Sequence, residues 1–209
     1  MTSLADEAAV RGWLISEVGC DDQALDRLER LVALLREENT RQNLVSSASL
    51  DQVWTRHVGD SAQLLLVSRE TREPWLDLGT GAGFPGLVIA ICRPQWRVCM
   101  VESRRRRAGW LASVVDRLSL AHAVVEARRL EEVPSFAAGT ISARAFAPLP
   151  RLVALSARFS TRETLWLLPK GRNGQKELDE MPKRVREMFH VEPSLTDPAS
   201  VILVGRGRR

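Results

Sequence analysis

Ten residues with the order Asp77-Leu78-Gly79-Thr80-Gly81-Ala82-Gly83-Phe84-Pro85-Gly86 join a short apolar run to a helical one. Closely spaced glycines let a backbone approach a ligand without Cβ atoms in the way. Pro85 is placed to pre-set the first helical turn. Gly81, Gly83 and Gly86 also satisfy the dinucleotide fingerprint G-x-G-x-x-G. Asp77 argues against that reading, because a carboxylate at the loop mouth would repel a pyrophosphate settling on the helix N-terminus. The same carboxylate would attract the ammonium and sulfonium of S-adenosylmethionine. The loop is therefore expected to hold the methyl donor rather than a nicotinamide, through Asp77, Gly79, Thr80, Gly81, Gly83 and Phe84. Glu102 ends the next apolar run, 23 residues after Gly79, where an acid can accept both ribose hydroxyls. The alternative is that it caps a helix starting at Ser103.

Arginine supplies the second chemistry. The chain has 30 Lys and Arg against 26 Asp and Glu, a net charge of +4, but the charges segregate. Met1 to Leu76 carries 8 basic and 13 acidic residues, and Asp77 to Arg209 carries 22 basic and 13 acidic. Only Lys170, Lys176 and Lys183 are lysines; the planar guanidiniums that make up the rest suit phosphate and base recognition, or simply reflect a preference for arginine codons. Arg104, Arg105, Arg106 and Arg107 form the densest basic stretch. With Arg128, Arg129, Lys170, Arg172 and the terminal Arg206, Arg208 and Arg209 they would make a phosphate-contacting edge; the alternative is a solvated face. Arg144 can donate a fork of hydrogen bonds to a phosphate, a donor carboxylate or guanine O6, or pair with a neighbouring acid at a sheet end.

The elements that must position these groups follow from periodicity. Asp6 to Glu38 reads as two helices broken near Gly19, with Leu25, Leu28, Leu31, Val32 and Leu35 on one face, and Leu50 to Val67 as a further helical stretch. After Pro74, apolar runs at Trp75–Leu78, Val98–Val101, Ala123–Val125, Thr140–Ser142, Thr164–Leu168 and Val201–Val204 alternate with helical segments at Gly86–Cys92, Arg105–Leu118, Leu149–Arg158 and Gln175–Phe189. Strands separated by helices predict a mainly parallel, doubly wound α/β sheet with its ligand at the strand C-termini. The organisation expected is a helical extension over 1–73 packed on a Rossmann-like core over 74–209.

Composition narrows the class further. Three cysteines, Cys20, Cys92 and Cys99, lack metal-ligand spacing and lie in or beside apolar stretches, which suggests buried thiols in a reducing cytoplasm. No targeting segment or membrane span is readable. With no Tyr and only three His, neither a His-cluster metal site nor a Tyr-based catalyst is expected.

Beyond the glycine loop, Asn43-Leu44-Val45-Ser46, Arg56-His57-Val58-Gly59-Asp60-Ser61, Ser142-Ala143-Arg144-Ala145-Phe146-Ala147 and Leu168-Pro169-Lys170-Gly171 occur in that order. The loop itself resembles the first motif of the Rossmann-like (class I) S-adenosylmethionine-dependent methyltransferases. The whole set is similar to the bacterial glucose-inhibited division protein B family, the guanine-N7 methyltransferases of 16S ribosomal RNA, over roughly Asn39 to Val204. Glu38 stands where members of that family often have an aromatic residue, and their loops vary at the positions of Ala82 and Phe84. The resemblance implies that Gly79, Phe84, Leu130, Glu131 and Arg144 line the methyl-donor pocket, with Leu130 and Glu131 near adenine, that Arg144 positions the reactants, and that the partner is 16S ribosomal RNA or the small subunit. A monomer is expected.

N7 of guanine already presents a lone pair in the major groove, so its methylation requires alignment more than proton transfer. The chain lacks the Asn/Asp-Pro-Pro-Tyr/Phe motif of exocyclic-amine methylation and a Pro-Cys at a strand end. Other readings that the sequence leaves open are a methyltransferase of a small molecule or protein and a noncatalytic RNA-binding module. His57 and Asp60, one turn apart, are expected mainly to join the acidic helical extension to the core.

Overall fold

The structure, a computed structural model, describes residues 4–67 and 72–207. Arg208 and Arg209, expected to extend the basic edge, lie outside the described residues.

The sheet has seven strands: β1 Trp75–Leu78, β2 Val98–Val101, β3 Ala123–Glu126, β4 Thr140–Ala143, β5 Leu165–Lys170, β6 Phe189–Pro193 and β7 Val201–Arg206, in the order β3-β2-β1-β4-β5-β7-β6. The first five pair in parallel, while β7 runs antiparallel to β5 and β6. Strand order reverses between β1 and β4, which opens the crevice where ligands of such sheets bind. The glycine loop leaves β1 and Arg144 follows β4, so both flank this crevice. In register, Asp77 lies beside Ser142 and Leu78 beside Ala143.

Each sheet face is covered by its own apolar core. One core contains Trp75, the fully buried helix Gly86–Cys92 that leaves the glycine loop, and the N-terminal helical segment. The other contains Leu76, Leu78, Ile141, Trp166 and the helix Leu149–Ser156. In the N-terminal segment, Asp6 caps the helix Glu7–Trp13, which widens into a π-helical turn at Leu14–Val18. Gly19 then turns the chain at φ +76, and Asp21 caps the long helix Asp22–Asn39. That helix buries Leu28, Leu31 and Leu35 against the core at helical spacing. Asn39 closes its exit: the side-chain oxygen accepts from the Leu44 and Val45 amides, and the amide group donates to the Val45 carbonyl.

Three sequence expectations need revision. Gln175–Phe189 is not one helix but two short ones, Gly174–Asp179 and Lys183–Arg186, separated before Pro182, which cannot continue a helix. Phe189 instead begins the edge strand β6, absent from the sequence reading. The alternative helix start at Ser103 gives way to Arg105, the start that periodicity predicted. Leu149–Arg158 ends its α-helical part at Ser156 and finishes as a tighter turn over Ala157–Phe159. No helix among the described residues is long and apolar enough to cross a membrane.

Candidate active site at the sheet crossover

A cleft of about 1110 Å³ opens over the C-terminal ends of β1, β4 and β5. Its wall is built by the glycine loop, the segment after β4, Leu44 to Ser46 of the extension, and the β6–β7 connection. The glycine loop is held rigidly from below. Asp77 is completely buried and lies outside the cleft wall. Its carboxylate accepts from Thr80 Oγ1 at 2.8 Å, the Gly86 amide at 3.0 Å and Ser142 Oγ at 2.8 Å. Ser142 Oγ in turn accepts from Trp75 Nε1 at 2.8 Å. Burial pushes the Asp77 carboxyl above its ordinary value, against the pull of these hydrogen bonds. Asp77 thus braces the loop against β4 from below.

The remaining loop atoms are pinned as well. Trp110 Nε1 donates to the Ala82 carbonyl at 3.1 Å. At Gly79, with φ +63, an added Cβ would lie 2.5 Å from Phe146 Cδ2, so this glycine makes room for the Phe146 ring. Gly81, at φ +62, is different, because a Cβ there would meet nothing closer than 3.7 Å. A Cβ there would make only ordinary van der Waals contact, with the Gly79 carbonyl and Arg107, and this bare backbone on the cleft wall fits close approach by a ligand. Gly83 is absent from that wall, and its added Cβ would collide with Leu87.

Glu102 also stands apart from the large cleft, buried beside the loop. One carboxylate oxygen accepts from the Gly81 amide at 3.1 Å and the other from the Arg104 amide at 2.8 Å. It thus joins β2 to the loop and orders the chain just before the helix Arg105–Arg117. A carboxylate offers about four acceptor positions, and the two already used leave capacity for ribose hydroxyls. Leu130 is buried in the second core within the turn Leu130–Glu132, and Glu131 is exposed; neither borders the cleft.

Arg144 organises the cleft centre. Its guanidinium donates to Asp60 Oδ2 at 3.1 Å, to the Arg56 carbonyl at 3.2 Å and to His57 Nδ1 at 3.0 Å. It also lies 5.4 Å from the Phe84 ring centroid, and His57 stacks on the same ring at 4.8 Å. His57 belongs to a second π-helical segment, Trp54–Gly59, a type of widening frequent at functional sites. Burial, with help from Arg144 and Arg56, lowers the His57 pKa from 6.5 to about 3. Arginine only donates, so Nδ1 accepts and Nε2 carries the hydrogen. Among the described residues, that buried Nε2 is without a hydrogen-bond partner. His57 and Asp60 thus do more than join extension to core. Ala145, directly after Arg144, sits in the left-handed region at φ +53 and lines the cleft.

The basic residues divide. Arg107 and Lys170 border the cleft, with Lys170 paired to Glu177 at 2.8 Å. Arg104 and Arg105 are exposed, whereas Arg106 donates to the Arg41 carbonyl of the extension at 3.1 Å. Arg128 pairs with Glu126, Arg129 is exposed, and Arg172 borders a separate depression beside Arg56 and Asp197.

A seven-stranded sheet reversed between β1 and β4, with a glycine loop, an acid after β2 and one antiparallel strand, is the architecture of a class I S-adenosylmethionine-dependent methyltransferase. A methyltransferase from Geobacter sulfurreducens shares this fold, with a TM-score of 0.60 at 12% identity over 85% of this chain and 90% of that one. The chain belongs to the GidB family, described as rRNA small subunit methyltransferase G, which it matches over residues 24–196. It is 54% identical to Ribosomal RNA small subunit methyltransferase G of Novosphingobium aromaticivorans, over 98% of this chain and 90% of the relative. The protein of the same name from Erythrobacter litoralis is 53% identical, over 98% of both chains.

Proposed function

We propose that this protein transfers the methyl group of S-adenosylmethionine to N7 of a guanine in 16S ribosomal RNA. The observation that carries the acceptor atom is the absence of a free base around Arg144 among the described residues. His57 is held neutral with its Nδ1 lone pair occupied, and Asp60 is paired with Arg144. Glu177 is paired with Lys170, and Asp197 with Arg56. N7 requires no proton to be removed before attack, so this wall suits it.

When bound, S-adenosylmethionine supplies an electrophilic methyl on a sulfonium centre. The chain's own part is to hold, orient and exclude water. Gly81 offers bare backbone, Glu102 offers acceptor capacity, and the tethered Arg144 fork orients an oxygen of the donor or of the base. Arg104, Arg105, Arg107, Arg128, Arg129, Lys170 and Arg172 are the proposed phosphate contacts. Arg106 contributes by holding the extension against the helix Arg105–Arg117.

The test is incubation of the pure protein and labelled S-adenosylmethionine with undermethylated small subunits, followed by nucleoside analysis. Label in 7-methylguanosine is expected. Label on an exocyclic amine, a ribose or a pyrimidine carbon would refute the N7 assignment.

A further inference from the structure

Two of the three cysteines meet where the helical extension packs on the glycine-loop helix. Cys20 Sγ and Cys92 Sγ are 3.4 Å apart, both buried, and 72 residues apart in sequence. Cys20 lies between the Gly19 turn and the Asp21 cap, and Cys92 is the last residue of the helix Gly86–Cys92. Both are free thiols, and neither borders the cleft. Cys99, the third, belongs to the core on the opposite sheet face.

We propose that Cys20 and Cys92 form a reversible oxidation site, converted to a disulfide by a hydroperoxide and reopened by low-molecular-weight thiols, which locks the extension to the glycine-loop helix. The sulfurs must close from 3.4 Å to a bond length of about 2.05 Å. The two thiols are unequal. The Cys20 S–H donates to the Cys92 sulfur across 3.4 Å, and Cys20 sits on the turn between Gly19 and the Asp21 cap while Cys92 lies inside the fully buried helix. Flanked by the exposed Gly19 and Asp21, Cys20 is the sulfur that a small oxidant reaches first.

Its thiolate attacks the terminal oxygen of the hydroperoxide and displaces hydroxide or alkoxide, so that sulfur is oxidised to a sulfenic acid and the peroxide O–O bond is reduced, releasing water or an alcohol after proton uptake. Cys92 sulfur then attacks the Cys20 sulfenic sulfur. The S–S bond forms, and the hydroxyl leaves as water with the Cys92 proton. Two equivalents of a small thiol reverse the reaction, leaving as their own disulfide. In a reducing compartment such a bond is transient, as redox-sensing disulfides are.

The experiment exposes the pure protein to hydrogen peroxide, alkylates it under denaturing conditions and maps its peptides by mass spectrometry. Free thiols are expected to fall from three to one, with the Cys20 and Cys92 peptides joined, Cys99 alkylated, and all three restored by dithiothreitol. The oxidised protein should also melt at a higher temperature than the reduced one, since the bond closes a long loop. Cys99→Ser should retain both effects, and Cys92→Ser should lose both. Three alkylatable thiols after peroxide, a link through Cys99, or Cys20 carried to sulfinic acid while Cys92 stays free would overturn the proposal.

Discussion

Replacing His57 with phenylalanine should separate stability from turnover. The variant keeps a ring to stack on Phe84, an interaction worth about 0.5–1.5 kcal/mol, so packing is largely conserved. It loses the Arg144 hydrogen bond to Nδ1, for which a charged donor suggests ~1.5–3 kcal/mol. Arg144 still keeps Asp60 and the Arg56 carbonyl, and is therefore not left as a bare buried charge. The variant also removes the unpartnered Nε2–H, relieving a penalty of ~1–3 kcal/mol. These opposing terms cancel to within ~1 kcal/mol, so urea unfolding at pH 7.5 should show nearly the parent midpoint. Function should not be spared. With one of three tethers gone, the Arg144 fork is less well aimed, and small misplacements near a reacting centre cost about 10- to 100-fold. Single-turnover transfer to undermethylated small subunits should fall by about that factor. His57→Asn, which restores an acceptor but not the ring, should recover part of the rate while losing stability. Acid gives a second readout. In the folded protein His57 titrates at about 3 instead of 6.5, so the unfolded chain binds a proton that the folded one refuses. Its stabilising contribution is complete above pH 6.5 and is lost as pH falls toward 3, at up to about 1.4 kcal/mol per pH unit. His57→Phe should lose stability less steeply through that window. A destabilisation above about 3 kcal/mol at pH 7.5, or an undiminished transfer rate, would refute the reasoning.

Three further outcomes are expected. Glu102→Ala should weaken S-adenosylmethionine binding in calorimetric titration by ~1.5–3 kcal/mol while sparing transfer at saturating donor; an unchanged dissociation constant would leave Glu102 only its loop-ordering role. Arg104→Gln together with Arg105→Gln should flatten the log-log salt dependence of RNA binding by ~0.7 per lost contact on single strands, without altering donor affinity, and an unaltered slope would make these side chains merely solvated. Ala145→Gly should raise the urea midpoint, because relief of about 1–2 kcal/mol of left-handed strain outweighs the ~0.4–1 kcal/mol of added unfolded-state entropy; a lower midpoint would contradict the strain.

Much of the α/β core was readable because β1, β2, β4 and β5 are short, largely apolar runs bounded by turns and helical periodicity. The edge strand β6 was not, since His190, Glu192 and Pro193 interrupt any apolar pattern there and its pairing with β7 is a long-range event. The glycine loop was legible as a local motif, but the direction of Asp77 depends on which strand lies beside β1. The Arg144 assembly was least visible. Its contacts span 84 to 88 residues and depend on a widened helical turn that sequence spacing does not announce. Residues Arg56, His57 and Asp60 could be noticed as polar groups in an apolar helix, yet their target could not.

The shared core of the extension and the glycine-loop helix has a consequence for biosynthesis. The face carrying Leu28, Leu31 and Leu35 leaves the ribosome before the helix that will cover it. Cys92 follows Leu35 by 57 residues, so at 5–20 residues per second the nascent chain carries that bare apolar stripe for about 3–11 s. During this interval the stripe stays open to water and to other apolar surfaces, and a synthesis pause before Gly86 would prolong its exposure.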